Sequence, residues 1–285
     1  MKLSIYGGTG IIGSFFSTLY DCEIVKREEL IPQHENVLYL ISTTTNSTDT
    51  PWVDTDTNLT QLMKRLCACK EAGVKTFNFV SSWFVYGNAF GVMSPKSACF
   101  PAGIYSLTKY FAEELVINFC EENDIDYRIM RLGNIYGGPD DGSKKRNVLH
   151  YLIGKLKENE PIEVVANMTR DYLHIVDACR AIYAVCKSDI DYEILNIGSG
   201  ISRNVADVLE EAKRIIGSSS EIVRREPYGN EESVYMALDC SHLIDMAFIP
   251  VIDFATGLKD LCTSRTFSTP GHILMDKKFK QLLTV

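Results

Sequence analysis

The chain begins with a short apolar run, residues 3–6, that stops at "GGTGIIGSFF", where a second apolar stretch resumes. An apolar run of this length bounded by glycine predicts a buried strand, and the stretch after it predicts a helix. The texture repeats. Residues 23–25, 37–41, 76–80 and 127–131 predict further strands. Residues 59–72 and 104–123 predict helices; the first carries Leu59, Leu62, Met63, Leu66 and Cys69 as one apolar stripe. Strands alternating with helices imply a parallel sheet covered by helices.

After Arg131 the pattern changes. "GNIYGGPDDGSKKRN" is rich in glycine and charge and reads as a loop that leaves the sheet for a smaller lobe. A helix over 148–158 follows. "EILNIGSG" reads as a strand returning to the sheet, with a helix over 204–216 behind it. The last 60 or so residues are the least patterned. No internal repeat or low-complexity segment is present.

Composition narrows the partners. Of 285 residues, 46% are apolar and 23% charged, as in ordinary globular chains. The net charge of -8 argues against nucleic acid or an anionic membrane as the main partner. It leaves room for an anionic small molecule, which needs only a few local cations. With the first strand starting at residue 2 or 3 and no long apolar run, neither a signal peptide nor a membrane span is expected. The nine cysteines are scattered. Only Cys67 and Cys69 are close, with no second pair at metal-ligand spacing, so reduced core thiols in a cytoplasmic protein are expected, without a metal site.

Gly7, Gly10 and Gly13 form G-x-x-G-x-x-G between strand and helix. The first permits the turn, the second lets backbone approach a pyrophosphate, and the third lets helix pack on strand. Phosphate would sit on amides at the helix N-terminus. A plain tight turn has the same spacing. The expected contacts of a dinucleotide are Gly7, Thr9, Gly10, Ile11, Ile12 and Gly13, with Ser42 further on. At the end of the second strand an acid would bind the ribose hydroxyls, but "CEIVKREEL" offers Lys26 and Arg27. Cations there suit a 2′-phosphate, hence NADP(H); NAD, with Glu28 or Glu29 on the ribose, is the alternative. The stretch from Gly13 to the strand at Val37 is short, so part of the adenosine region is trimmed.

A tyrosine can carry the hydroxyl proton when hydride leaves the same carbon, provided its pKa near 10 is lowered. A lysine at i+4 shares its helical face and favours the phenolate. Y-x-x-x-K occurs at Tyr105/Lys109, Tyr151/Lys155 and Tyr183/Lys187. Only Tyr105 follows a buried strand ending in serines, "FNFVSSWFVYG", where function gathers in parallel sheets. Ser82, Tyr105 and Lys109 therefore form the candidate catalytic trio, Ser82 polarising the reacting oxygen.

At this point the sequence resembles the extended short-chain dehydrogenase/reductase family of nucleotide-sugar epimerases, dehydratases and reductases. "GGTGIIG", "DTNLTQLMKRLCACKEAGVKTFNFVSSWFVYG", "YSLTK", "RLGNIYG", "TRDYLHIVDACRAI" and "YEILNIGSG" occur in the family's order. The resemblance selects Ser82 over Ser81, four residues before Tyr86. It implies that Lys109 and Tyr105 also contact the cofactor, Lys109 through the nicotinamide ribose. It places Asn134 and Asn147 beside a sugar nucleotide, and Arg170 on its diphosphate. The other reading of Arg170 is an ion pair with Asp171 or Asp177; His174 reads as structural. The resemblance also implies a homodimer formed through the helices over 59–72 and 104–123, whose Phe111, Leu115, Ile117, Phe119 and Cys120 exceed what one sheet face needs.

Two departures narrow the reaction. Family 4,6-dehydratases carry Asp-Glu after the catalytic Thr; Trp83 and Phe84 stand here. GDP-fucose synthase has a cysteine and a histidine where Phe84 and Asn147 fall. What remains is oxidation, reduction or epimerisation at one sugar carbon, usually C4. The expected fold is α/β: a Rossmann-type doubly wound parallel sheet (1–133 plus about 172–197) with a smaller C-terminal α+β substrate lobe (about 134–171 plus 198–285). The expected function is an NAD(P)-dependent oxidoreductase or 4-epimerase acting on a nucleotide sugar. A non-catalytic dinucleotide sensor on the same fold is the alternative.

Overall fold

A computed structural model describes residues 2–43, 50–87, 90–138, 148–189, 192–227 and 235–263. Asn147 lies outside the described residues.

The chain enters through β1 (Ser4–Tyr6), the glycine turn and α1 (Ile11–Leu19), then β2 (Glu23–Val25) and β3 (Asn36–Tyr39). A continuous helical run follows: α2 (Pro51–Thr55), a π-helical turn (Asp56–Thr60) and α3 (Gln61–Glu71). It leads to β4 (Thr76–Ser82), a 3₁₀ turn (Trp83–Tyr86), β5 (Gly91–Met93) and the long α4 (Ile104–Glu122). Next come β6 (Asp126–Leu132), β7 (Asn134–Tyr136), α5 (Val148–Lys157), β8 (Ile162–Val165) and β9 (Thr169–His174). The remainder is α6 (Ile175–Lys187), β10 (Ile194–Ile197), β11 (Ser202–Asn204), α7 (Val205–Ile216), β12 (Ile222–Arg225), β13 (Met236–Leu238), α8 (Ser241–Asp245) and α9 (Phe254–Thr263).

Six strands form one parallel sheet in the order β2-β1-β3-β4-β6-β10. Strand alternation divides its side chains between two cores. Ile5, Leu38, Val80 and Met130 meet α1 and α6, where Phe15, Phe16, Val176 and Ile182 are buried. Tyr6, Tyr39, Phe77 and Phe79 meet α3 and α4, where Leu62, Leu66, Ala112 and Val116 are buried. The sheet is thus covered on both faces, as the strand–helix alternation predicts. The order reverses between β1 and β3, so a crevice opens at the carboxyl ends of those strands, where ligands of such sheets bind. β10 is the returning strand in "EILNIGSG".

A third core joins α5, α7 and α9 to β8 and β9, and a fourth packs Trp83, Val85 and Tyr86 on Met236 and Leu238. β11, β9 and β7 form a small sheet, with β11 antiparallel to β9. Two further pairs, β12–β8 and β13–β5, complete the architecture. The helical run before β4 starts at Pro51, earlier than residue 59, because the wide π turn joins two helices that a 3.6-residue pattern treats separately.

Candidate functional site

The glycine turn is built for close approach. Gly7 has φ +85°, and the Gly10 N–H donates to its carbonyl at 3.0 Å. A Cβ on Gly13 would lie 2.3 Å from that carbonyl oxygen, so any larger residue would force α1 off the strand. Gly10 caps α1 with no side-chain acceptor, and the first turn holds no acid. Its leading amides are therefore left for an external acceptor, beside the positive end of the helix. Beyond β2, Lys26 and Arg27 are both exposed. Lys26 is held by Glu29, 3.6 Å from its ammonium. Arg27 makes no ion pair with a described residue; its carbonyl receives Arg65 Nη2 at 3.1 Å.

Three consecutive residues at the end of β4 each engage α4 or its surroundings. The Val80 carbonyl accepts Lys109 Nζ at 2.7 Å, with the ammonium 4.3 Å from the Phe79 ring centroid. The Ser81 hydroxyl donates to Glu113, which holds Arg131 through both carboxylate oxygens. Ser81 is committed to that buried cluster. Ser82 caps the 3₁₀ turn, accepting from the Phe84 N–H at 3.3 Å, and faces Tyr105.

Tyr105 occupies the first turn of α4. Burial pushes its hydroxyl pKa up; Ser42 and Ser82 pull it down, and Asp54 adds to the rise. Neither serine closes a short hydrogen bond on the phenol, which is common in such sites before a substrate oxygen joins them. The expected lowering by Lys109 is absent. The lysine shares the helical face, but its ammonium reaches inward to Val80 rather than to the phenol. Burial drives the Lys109 pKa down to about 7, opposed by Glu113. The other two Tyr/Lys pairs lie elsewhere. Tyr151 carries Lys155 over its ring at 5.6 Å, and Tyr183 stacks on Tyr20 at 3.9 Å.

Asn58, which sequence reasoning passed over, ties these parts together. The π turn carries it into the interior. Its amide donates to Thr108 at 2.9 Å and to Thr43 at 3.2 Å, while its carbonyl oxygen accepts from Ser42 and from the Thr43 N–H. It thereby fixes Ser42, at the end of β3, to the helix that bears Tyr105. The asparagine stood in a quoted motif, but its inward direction depends on a helix defect that periodicity does not encode.

On the other side of the crevice, Arg170 lies on β9. Its guanidinium donates to the Thr169 carbonyl at 2.8 Å and sits 5.0 Å from the Trp83 ring centroid. It has no ion pair with a described residue, and burial lowers its pKa. Neither aspartate named as a partner is available. Asp171 accepts from Ser199, Gly200 and Leu238, and Asp177 from Arg180, Val251 and Ile252. Asn134 donates to the Asp171 carbonyl at 3.3 Å. His174 accepts from the Val176 N–H as the cap of α6, and burial lowers its pKa to about 4. Its ring fills the space beside Gly137, where a Cβ would meet Nε2 at 2.4 Å. A cavity of about 330 Å³ is lined by Phe90, Asn167, Thr169, Asn204 and Tyr235.

Between these halves run two stacked aromatics. Trp83 and Phe84 lie 4.2 Å apart at 26°, and Phe84 meets Tyr105 edge-on at 5.9 Å. Neither can supply or accept the protons of a dehydration.

The model of the NAD dependent epimerase/dehydratase family matches residues 15–198, and the chain belongs to that family. A putative UDP-glucose 4-epimerase of Methanocaldococcus jannaschii is 27% identical over 219 residues, covering 75% of this chain and 70% of the relative. A dTDP-4-dehydro-6-deoxyglucose reductase of Escherichia coli is 23% identical over 259 residues, covering 87% and 81%. Among solved structures, the UDP-glucose 4-epimerase of Thermotoga maritima with UDP-glucose superposes with a TM-score of 0.81 at 22% identity, over 92% of this chain and 97% of that one. RMD from Pseudomonas aeruginosa complexed with NADPH gives 0.78 at 19% identity, over 92% and 97%. At these identities the structural likeness establishes the fold. An NAD(P) dinucleotide is the family's cofactor, and structural relatives bind nucleotide sugars.

Proposed function

We propose that this protein oxidises, reduces or epimerises one carbon, C4, of a nucleotide-activated sugar. Tyr105 carries the hydroxyl proton, Ser82 polarises the reacting C–O, and the nicotinamide takes or gives the hydride when bound. Lys109 holds the nicotinamide ribose and contributes its charge beneath the site. Gly7, Thr9, Gly10, Ile11, Ile12 and Gly13 receive the cofactor's pyrophosphate, with Ser42 at the edge of the catalytic pocket. Arg170 takes the substrate's diphosphate, with Asn134 beside the sugar nucleotide.

The observation that carries this reading is the meeting of Ser42, Ser82 and Tyr105 at the carboxyl ends of β3 and β4, beside the open glycine turn. Trp83 and Phe84 favour hydride chemistry over dehydration, because neither side chain is an acid or a base. Arg27, exposed and without an acidic partner among the described residues, supports NADP(H) as the cofactor. The reading takes residues of about 134–171 plus 198–285 as the substrate lobe, and a cytoplasmic homodimer as the working form. The likeness to a putative UDP-glucose 4-epimerase and to a dTDP-4-dehydro-6-deoxyglucose reductase supports the carbon assignment.

The test is a change of absorbance at 340 nm when the protein and NADP(H) or NAD(H) meet a panel of UDP-, GDP-, dTDP- and CDP-sugars, with sugar analysis of the product. Sugar-dependent turnover supports the proposal. A protein that binds dinucleotide but neither turns over nor binds any member of the panel is the sensor instead.

A further inference from the structure

β11 runs antiparallel to β9 with Arg203 directly opposite Arg170. Opposed residues of such a pair project on one face with Cβ atoms about 5 Å apart, and like charges there destabilise the pair. Neither makes an ion pair with a described residue. Among the described residues Arg203 has no hydrogen-bond or ion-pair partner, and its Nε is buried without one. Its guanidinium lies 4.4 Å from the Phe254 ring centroid, as that of Arg170 lies 5.0 Å from Trp83. Four acids of the lobe are engaged elsewhere: Asp171 by Ser199 and backbone amides, Asp177 by Arg180, Asp207 by Arg224, and Asp253 by Thr256.

An aromatic ring against each guanidinium fixes its plane and leaves N–H groups at its edge to donate, although Arg170 already gives one to the Thr169 carbonyl. Two such edges on one sheet face, neither ion-paired to a described residue, present the geometry that a polyanion needs. Either arginine alone could be a packing residue. Their cross-strand register, which puts two positive groups where sheets avoid them, points to a ligand that offsets the repulsion.

We infer that Arg203 is a second anion-binding residue, and that Arg170 and Arg203 together grip the diphosphate of the nucleotide ligand across the β11–β9 pair. The inference rests on the reading of Arg170 as a diphosphate ligand and adds a residue to it. The two arginines bind the ligand's charge and orient it, while taking no part in proton or hydride transfer. With two guanidiniums on the diphosphate, nucleoside monophosphates lose part of the grip and should bind much more weakly than diphosphates.

The experiment is calorimetric titration of inorganic pyrophosphate and of UDP, GDP, dTDP and CDP into the full chain, with thermal melts, for wild type, Arg170→Ala, Arg203→Ala and Arg203→Lys. The expected result is at least a ten-fold loss of affinity for the preferred nucleoside diphosphate and for pyrophosphate in Arg203→Ala, and partial recovery in Arg203→Lys. NAD(P)H affinity stays unchanged, and the ligand-free melting temperature stays the same or rises as the like charges are separated. Pyrophosphate raises the wild-type melting temperature but not that of Arg203→Ala at equal concentration. Arg203→Ala with wild-type affinity and a lower melting temperature is a packing residue only and overturns the inference. If Arg170→Ala alone loses affinity, the reading of Arg170 stands and the second residue falls. A wild type that binds no nucleoside diphosphate and no pyrophosphate overturns both.

Discussion

Lys109 and Val80 form the hydrogen bond on which the floor of the site rests: an ammonium, 1% exposed, donates to a strand carbonyl at 2.7 Å. The carbonyl and the Phe79 ring stabilise the charge, with Glu113 one turn further along α4. They compensate only in part for lost water, so the pKa falls to about 7. A group this poised changes charge over the pH range in which the enzyme would work.

This gives a stability prediction with a definite sign. Unfolded lysine titrates near 10.4. Below pH 7 it is charged in both states, and burying that charge costs roughly 4–5 kcal/mol by linkage. The penalty disappears as pH rises from 7 towards 10.5. Lys109→Met, which fills the space without a charge, should therefore melt at or above the wild type at pH 6, with the gap narrowing by pH 9. It should also lose activity and bind cofactor more weakly. Melting curves at the two pH values check this. A variant that melts well below the wild type at pH 6 would make the lysine a net stabiliser.

On the proposed reading, cofactor choice turns on the two cations after β2. Glu29 already offsets Lys26, so Arg27 is the stronger ligand for a 2′-phosphate. NADPH should bind more tightly than NADH, Arg27→Ala should remove most of the difference, and Lys26→Ala should remove little. Fluorescence titration of the two reduced cofactors reads this directly. Equal affinities in the wild type would transfer the role to Glu28 or Glu29 and to NADH.

The exposed face of α4 predicts assembly. Of the five residues that the sequence marks as surplus, Cys120 is buried and Leu115, Ile117 and Phe119 pack against the sheet's core, whereas Phe111 is 52% exposed and lies with Ile104 (44%) and Leu107 (38%) along one side of the helix. A second copy related by a two-fold axis would cover this stripe and form a helical interface. Light scattering at micromolar concentration should give the mass of a dimer, and Phe111→Glu should give a monomer. A monomeric wild type contradicts the prediction.

What the sequence made legible is what local chemistry encodes. The glycine turn needs φ above zero at Gly7 and no Cβ at Gly13, so its identity is written in those positions. β4 reads as a strand because Phe77 and Phe79 alternate with residues facing the other core, and Tyr105 reads as special because serines precede it. Other features depend on geometry that no single stretch carries. Arg203 and Arg170 are neighbours only because β11 folds back on β9. Asn58 turns inward because of a π turn, and Lys109 reaches Val80 by a side-chain path that its i+4 spacing from Tyr105 does not specify. The three-residue strands β5, β7, β11 and β13 are too short to show an alternation.

The central claim is that Tyr105 carries the proton during hydride transfer on a nucleotide sugar. The direct measurement is the rate of substrate-dependent absorbance change at 340 nm for Tyr105→Phe, beside Tyr151→Phe and Tyr183→Phe as controls in the other two Y-x-x-x-K sequences. The account predicts that Tyr105→Phe folds, binds cofactor as the wild type does and loses at least about 100-fold in kcat, the scale of general acid–base catalysis, while both controls stay near wild type. A Tyr105→Phe enzyme that keeps most of its activity on the true substrate would contradict it.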